Sequence, residues 1–214
     1  MHRRESSGRR GRLAPVAAIV GLSVALGGCF TGPRSELKPE LSSTGDAAID
    51  AVLSRVEQIG AAVFTASYDA ENAFAGTTTP VTVAQSAPDR RVTIIGDVTY
   101  VVEGPRVRTC SDASNDCEDV IDAARTSDVQ LGPDFYGTSA TARLRSAAAA
   151  ATGPATASTE QIEDQAATCA SIPLSGDTTV MCAFDNGVLA RLDASDVDLT
   201  MTSYSDEADE SLWP

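Results

Sequence analysis

Five cysteines and one histidine carry most of the chemistry open to this 214-residue chain. His2 lies at the extreme N-terminus, ahead of everything that reads as a folded domain. That position removes Ser-His-Asp and Cys-His nucleophilic chemistry, histidine general bases and the usual zinc ligands together. Carboxylates cluster at Asp193, Asp196 and Asp198, and again at Asp112, Asp116, Glu118 and Asp119. Neither cluster has the spacing and glycine of a calcium-binding loop, so both read as solvated turns. No enzymatic activity, cofactor or metal is expected. The thiols divide into Cys29, which stands alone, and Cys110, Cys117, Cys169 and Cys182.

Cys29 closes an unusual N-terminal pattern. The first twelve residues hold five arginines (Arg3, Arg4, Arg9, Arg10, Arg12) against one acid, Glu5, and nothing from Leu13 to Leu26 is charged. That apolar run is too short for a bilayer, which needs about 20 residues. A basic start, a short apolar run and a small-residue site make a secretory signal. This one ends "LGGC", Leu26-Gly27-Gly28-Cys29, which resembles the bacterial lipobox. The resemblance implies that the Cys29 thiol takes a diacylglyceryl group and that cleavage makes it the first residue. Acyl chains contribute about 0.8 kcal/mol per buried CH₂, so the lipidated chain is expected on the extracytoplasmic face of the cell membrane without a spanning helix. The Arg9-Arg10 pair leaves general or twin-arginine export open. The expected layout is a signal peptide over 1–28, a lipid-anchored tether over 29–46, one domain over 47–205 and an acidic tail over 206–214.

Loss of the signal leaves eleven cationic side chains and 29 carboxylates, a formal charge of −18. Nucleic acid is excluded as a partner, because phosphate binding needs the opposite sign. An even number of cysteines in an exported domain reads as disulfides, and four allow three pairings. The local turns choose among them. If Ser175-Gly176 is a two-residue turn, Leu174 pairs with Asp177 and Cys169 falls opposite Cys182, on a non-hydrogen-bonded pair close enough to bridge. Pro173 also lands where its missing N–H costs that ladder nothing. Cys110 and Cys117 close the short loop "CSDASNDC".

The elements that hold these residues follow from periodicity. "STGDAAIDAVLSRVEQIG" places Ile49, Val52, Leu53, Val56 and Ile59 on one helical face between a Ser/Thr/Asp cap and Gly60. Strand runs follow in "AVFTASYDAEN", "TPVTVAQ", "RRVTII", "VTYVV" and "RVRTC", with turns at Gly76, "SAPD" and Gly96-Asp97. "CEDVIDAARTSD" reads as a short helix, and "GTSATARLRSAAAAATG" as a helix stopped at Gly153-Pro154. Its many alanines favour helix but grip a core weakly, which fits a mobile lid and an ordinary surface helix equally. The C-terminal third is strand, joined at Ser175-Gly176, Asn186-Gly187 and "DASD". A two-residue turn at Asn186-Gly187 sets Phe184 opposite Leu189 and Met181 opposite Leu192. Met181, Ala183, Ala190 and Leu192 then share one face, and Val180, Cys182, Phe184 and Leu189 the other.

This layout is similar to actinobacterial lipoproteins of the LppX/LprG type and, more distantly, to the lipoprotein carrier LolA. The "LGGC" lipobox, the helix leading into "FTASYDAEN", "VTVAQSAPDRRV", "VRTC" and "ATC…VMCAFDNGVLARLD…VDLTMTSYS" carry the likeness. It implies an α+β fold, a curved antiparallel half-barrel packed on an N-terminal helix and a helical insertion, with an apolar cavity for acyl chains. Met181, Ala183, Ala190 and Leu192, small at the centre, are assigned to that cavity. Two functions fit: binding or carrying a lipid or other hydrophobic molecule, or a non-enzymatic interaction module with an envelope protein partner.

Overall fold

The protein's structure, a computed structural model, describes residues 43–111 and 116–213. Helix α1 (Ala47–Val56) starts where Asp46 accepts the amide protons of Ala48 and Ile49, and it buries Ala48, Ile49, Val52, Leu53 and Val56. A 3-10 turn over Ile59–Ala61 follows. Six strands come next: β1 (Phe64–Asn72), β2 (Thr77–Ala87), β3 (Arg90–Ile95), β4 (Val98–Glu103), β5 (Arg106–Ser111) and the short β6 (Asp116–Glu118). The segment read as a short helix is β6 followed by a 3-10 stretch, Ala123–Val129. Helix α2 (Thr138–Ala150) then leads into β7 (Thr156–Ile162), β8 (Gln165–Leu174), β9 (Asp177–Phe184), β10 (Leu189–Asp193) and β11 (Val197–Ser205).

The strands form one open antiparallel sheet in the order β6-β5-β4-β3-β2-β1-β11-β10-β9-β8-β7. This is the α+β half-barrel class expected from the sequence. Each half of the chain builds a meander, and the first and last strands meet in the middle. In β1 the even positions Phe64, Ala66, Tyr68, Ala70 and Asn72 are buried, while Asp69 and Glu71 are exposed. That alternation marks a sheet covered on one face.

The covered face packs on α1 and on an aromatic wedge just before α2. Phe135 meets Tyr68 edge to face at 5.5 Å between ring centroids, and Tyr136 meets Phe64 at 5.7 Å. Edge-to-face contacts of this kind add about 0.5–1.5 kcal/mol beyond area burial. Two buried polar side chains find partners there: Gln85 Nε2 donates to the carbonyls of Ile59 and Ala62, and Tyr68 Oη donates to the Leu189 carbonyl at 2.8 Å.

The tail beyond Ser205 folds back on the opposite face instead of hanging loose. Leu212 and Trp213 pack with Ile94 on a small cluster of Ala84, Val92 and Val101. Arg90 holds Glu210 through two hydrogen bonds of 2.6 Å and lies 4.6 Å over the Trp213 ring. Acidic composition concealed two apolar side chains with a basic clamp waiting for them.

Candidate functional site

The β8–β9 hairpin has the register the turn chemistry implies: Leu174 opposite Asp177, Pro173 opposite Thr178 and Cys169 opposite Cys182. Cys169 and Cys182 are bonded across it with Cα atoms 4.0 Å apart, and Cys110 and Cys117 are bonded across β5 and β6. Cys169, Cys182 and Glu160 lie close enough to suggest a metal triad. The disulfide removes both thiolates, and Arg191 takes the Glu160 carboxylate at 3.2 Å.

The next turn differs from expectation. Phe184 donates its N–H to the Val188 carbonyl, so the loop has three residues, Asp185-Asn186-Gly187. Gly187 has φ +89°, and a Cβ there would sit 2.4 Å from the Arg55 carbonyl oxygen. The loop closes against the end of α1, where only glycine fits. It shifts the ladder by one residue, so Leu189 faces Ala183 and not Phe184. A bulge at Ala190 shifts it back, and Met181 still faces Leu192.

Met181, Ala183 and Ala190 are completely buried in the main core together with α1. Of the four residues assigned to a cavity, Leu192 borders the open space found here. That space is a groove of about 580 Å³ between α2 and the ends of β8, β9 and β10. Leu174, Thr179, Leu192 and Ala194 form its floor, and Ala142, Ala147 and Ala150 of α2 form its wall. Sequence reasoning missed this wall because the packing of α2 creates it. The alanine run was the signal that could have found it.

Helix α2 is held lightly. Of its thirteen residues only Ala140 and Leu144 are buried. Two ion pairs do much of the fastening: Arg143 to Asp196 through hydrogen bonds of 2.8 and 2.7 Å, and Arg145 to Glu57 at 2.7 Å. Burial pushes the Asp196 carboxyl up, but the Arg143 guanidinium outweighs it and holds Asp196 below the usual carboxylate range. Arg143, the cation among the described residues that line the groove, is therefore already neutralised. Asp193 faces Asp198 across β10 and β11 and pairs with Arg191, whereas Asp196 is held by Arg143, so the three carboxylates do not gather at one point.

No protein-family model and no curated protein matches the chain. Among solved structures, MucB resembles it with a TM-score of 0.51 at 14% identity, over 79% of this chain and 63% of that one. The Pseudomonas aeruginosa MucA/MucB complex gives 0.49 at 13% identity, over 78% and 60%. LprF from Mycobacterium bovis gives 0.39 at 12%, over 73% and 92%, and a LolA-superfamily protein from Nitrosomonas europaea gives 0.32 at 10%, over 75% and 94%. The chain thus spans about 60% of the length of the MucB chains it matches. What MucB and this chain share at such identity is the fold.

Proposed function

We propose that this is a non-enzymatic, extracytoplasmic lipoprotein, tethered through Cys29, that binds a hydrophobic molecule in the groove beneath α2. The groove itself carries this reading. Its volume lies within the roughly 300–1,000 Å³ typical of ligand sites, and such sites combine apolar walls with few polar groups. Half of its twelve described lining residues are alanine or leucine, Ser139, Ser146, Thr179 and Ser195 add uncharged hydroxyls, and the two charged residues, Arg143 and Asp196, are paired with each other. An acyl chain or another uncharged apolar group fits that chemistry. The tether rests on the "LGGC" sequence, which lies outside the described residues, and the two disulfides are in keeping with an oxidising compartment. Among the described residues no helix is long and apolar enough to cross a membrane.

Native mass spectrometry of the full chain extracted in mild detergent tests the groove, with Ala147→Trp beside it. Ala147 is half-buried in the groove wall, so the indole should occupy the ligand's space. Retained lipid should disappear in the variant while its Tm stays within a few degrees of the parent. Equal retention in both proteins would rule the groove out. Incorporation of labelled fatty acid, lost on Cys29→Ala, tests the anchor separately.

A further inference from the structure

Among the described residues strand β7, seven residues long and reading "TASTEQI", is a sheet edge with no further strand paired to it. Its hairpin with β8 turns through Glu163 and Asp164, both in the left-handed region at φ 47° and 60°. This two-residue turn makes Ile162 and Gln165 the hydrogen-bonded pair beside it, and bonded pairs alternate from there. Ile162, Glu160, Ser158 and Thr156 therefore spend their backbone groups on β8. Ala157, Thr159 and Gln161 aim theirs outward, and all three residues are exposed. Ala155, the next residue in that phase, has its N–H taken by the Asp46 carboxylate at 2.8 Å. Three consecutive outward rungs thus lack partners among the described residues.

Edges of this length are ordinarily guarded by a lysine, a proline, a bulge or a covering segment. β7 contains neither lysine nor proline, its one charged side chain, Glu160, is paired with Arg191 at 3.2 Å, and its pairing with β8 runs without a bulge. Both of its ends are acidic, with Asp46 at one and Glu163 and Asp164 at the other. We infer that the β7 edge is a docking site for an extended, basic peptide segment of a partner protein, added as a twelfth strand. The backbone rungs of Ala157, Thr159 and Gln161 would supply its main-chain hydrogen bonds. The acids at the two ends would receive lysines or arginines at the ends of the segment, and the formal charge of −18 on residues 29–214 favours a cationic segment over a second copy of this chain. β7 shares no residue with the lining of the α2 groove, so this site stands or falls apart from ligand binding there.

The test is amide hydrogen exchange on the full chain in detergent, with two synthetic probes, acetyl-KVTVTK-amide and acetyl-EVTVTE-amide. The basic probe at millimolar concentration should slow exchange at Ala157, Thr159 and Gln161 about tenfold relative to the protein alone, the factor 1 + [L]/Kd for a probe at about nine times its Kd. The acidic probe should not. Thr159→Pro removes one outward donor and leaves every bond to β8 intact, so it should abolish protection without lowering Tm by more than a few degrees. Thr159→Lys, a guard residue, should do the same and covers the case in which the proline variant fails to fold. Equal protection by both probes, none by either, or protection that rises with protein concentration alone would each overturn the inference. The last outcome would mean that a second copy occupies the edge.

Discussion

Gly187 shows how one residue can decide a register. Alanine there would meet two obstacles, a left-handed backbone at φ +89° and the Arg55 carbonyl 2.4 Å from the new Cβ. Strain of the first kind costs about 1–3 kcal/mol, and overpacking a similar amount. Gly187→Ala should therefore lose about 2–4 kcal/mol in urea denaturation, and an unchanged midpoint would show that the loop can move away from α1. Asp198 makes the opposite case. Burial, with Asp193 and Glu71 nearby, raises its carboxyl above the ordinary carboxylate value. Glu71 and Asp193 face it directly on β1 and β10. A raised native pKa means the folded state holds the proton more tightly than the unfolded chain does, so stability is lost as pH rises through that value. Asp198→Asn keeps the acceptor for the Ala194 N–H and removes the charge. It should raise stability at pH 7 by about 0.5 kcal/mol, the worth of relieving facing like charges, and the gain should fade as pH falls through the raised value of the Asp198 carboxyl. A gain independent of pH would assign the effect to packing.

At the level of elements, the bulge at Ala190 matters most for what was legible beforehand. Two-residue turns leave a signature in the sequence, and Ser175-Gly176 fixed its hairpin down to Cys169 opposite Cys182. Asn186-Gly187 carries the same signature, yet the chain makes a three-residue loop because α1 abuts it. That contact is tertiary and leaves no mark in the local sequence. The same holds for β7, whose turn uses Glu163 and Asp164 where glycine or asparagine is the usual signal. The α1 face and most strands were readable because periodicity reports burial directly. The groove was not, since it depends on where α2 comes to rest. Ala190, assigned to a cavity by strict alternation, is fully buried in the main core. Ala190→Trp should accordingly overpack it and lower Tm clearly, by an amount equivalent to about 1–3 kcal/mol or more. An unchanged Tm would reveal room behind β10.

For the whole molecule the decisive contact is the one between β1 and β11. Each meander is local in sequence, and each holds its own disulfide, Cys110–Cys117 in the first and Cys169–Cys182 in the second. Among the described residues no disulfide crosses the seam, where Thr65 pairs with Ser205. Closing so long a loop carries an entropy cost that local hairpins avoid, and non-local pairing slows folding accordingly. The tail adds a reporter of that step. Trp213, the only tryptophan, follows β11 in the chain but is seated on β2, β3 and β4 of the other half. Its fluorescence can become native only after the two halves have joined. In stopped-flow refolding with both disulfides intact, far-UV circular dichroism should therefore recover before the indole emission does. Coincident traces would mean that the sheet forms in one concerted event, with the seam as its nucleus.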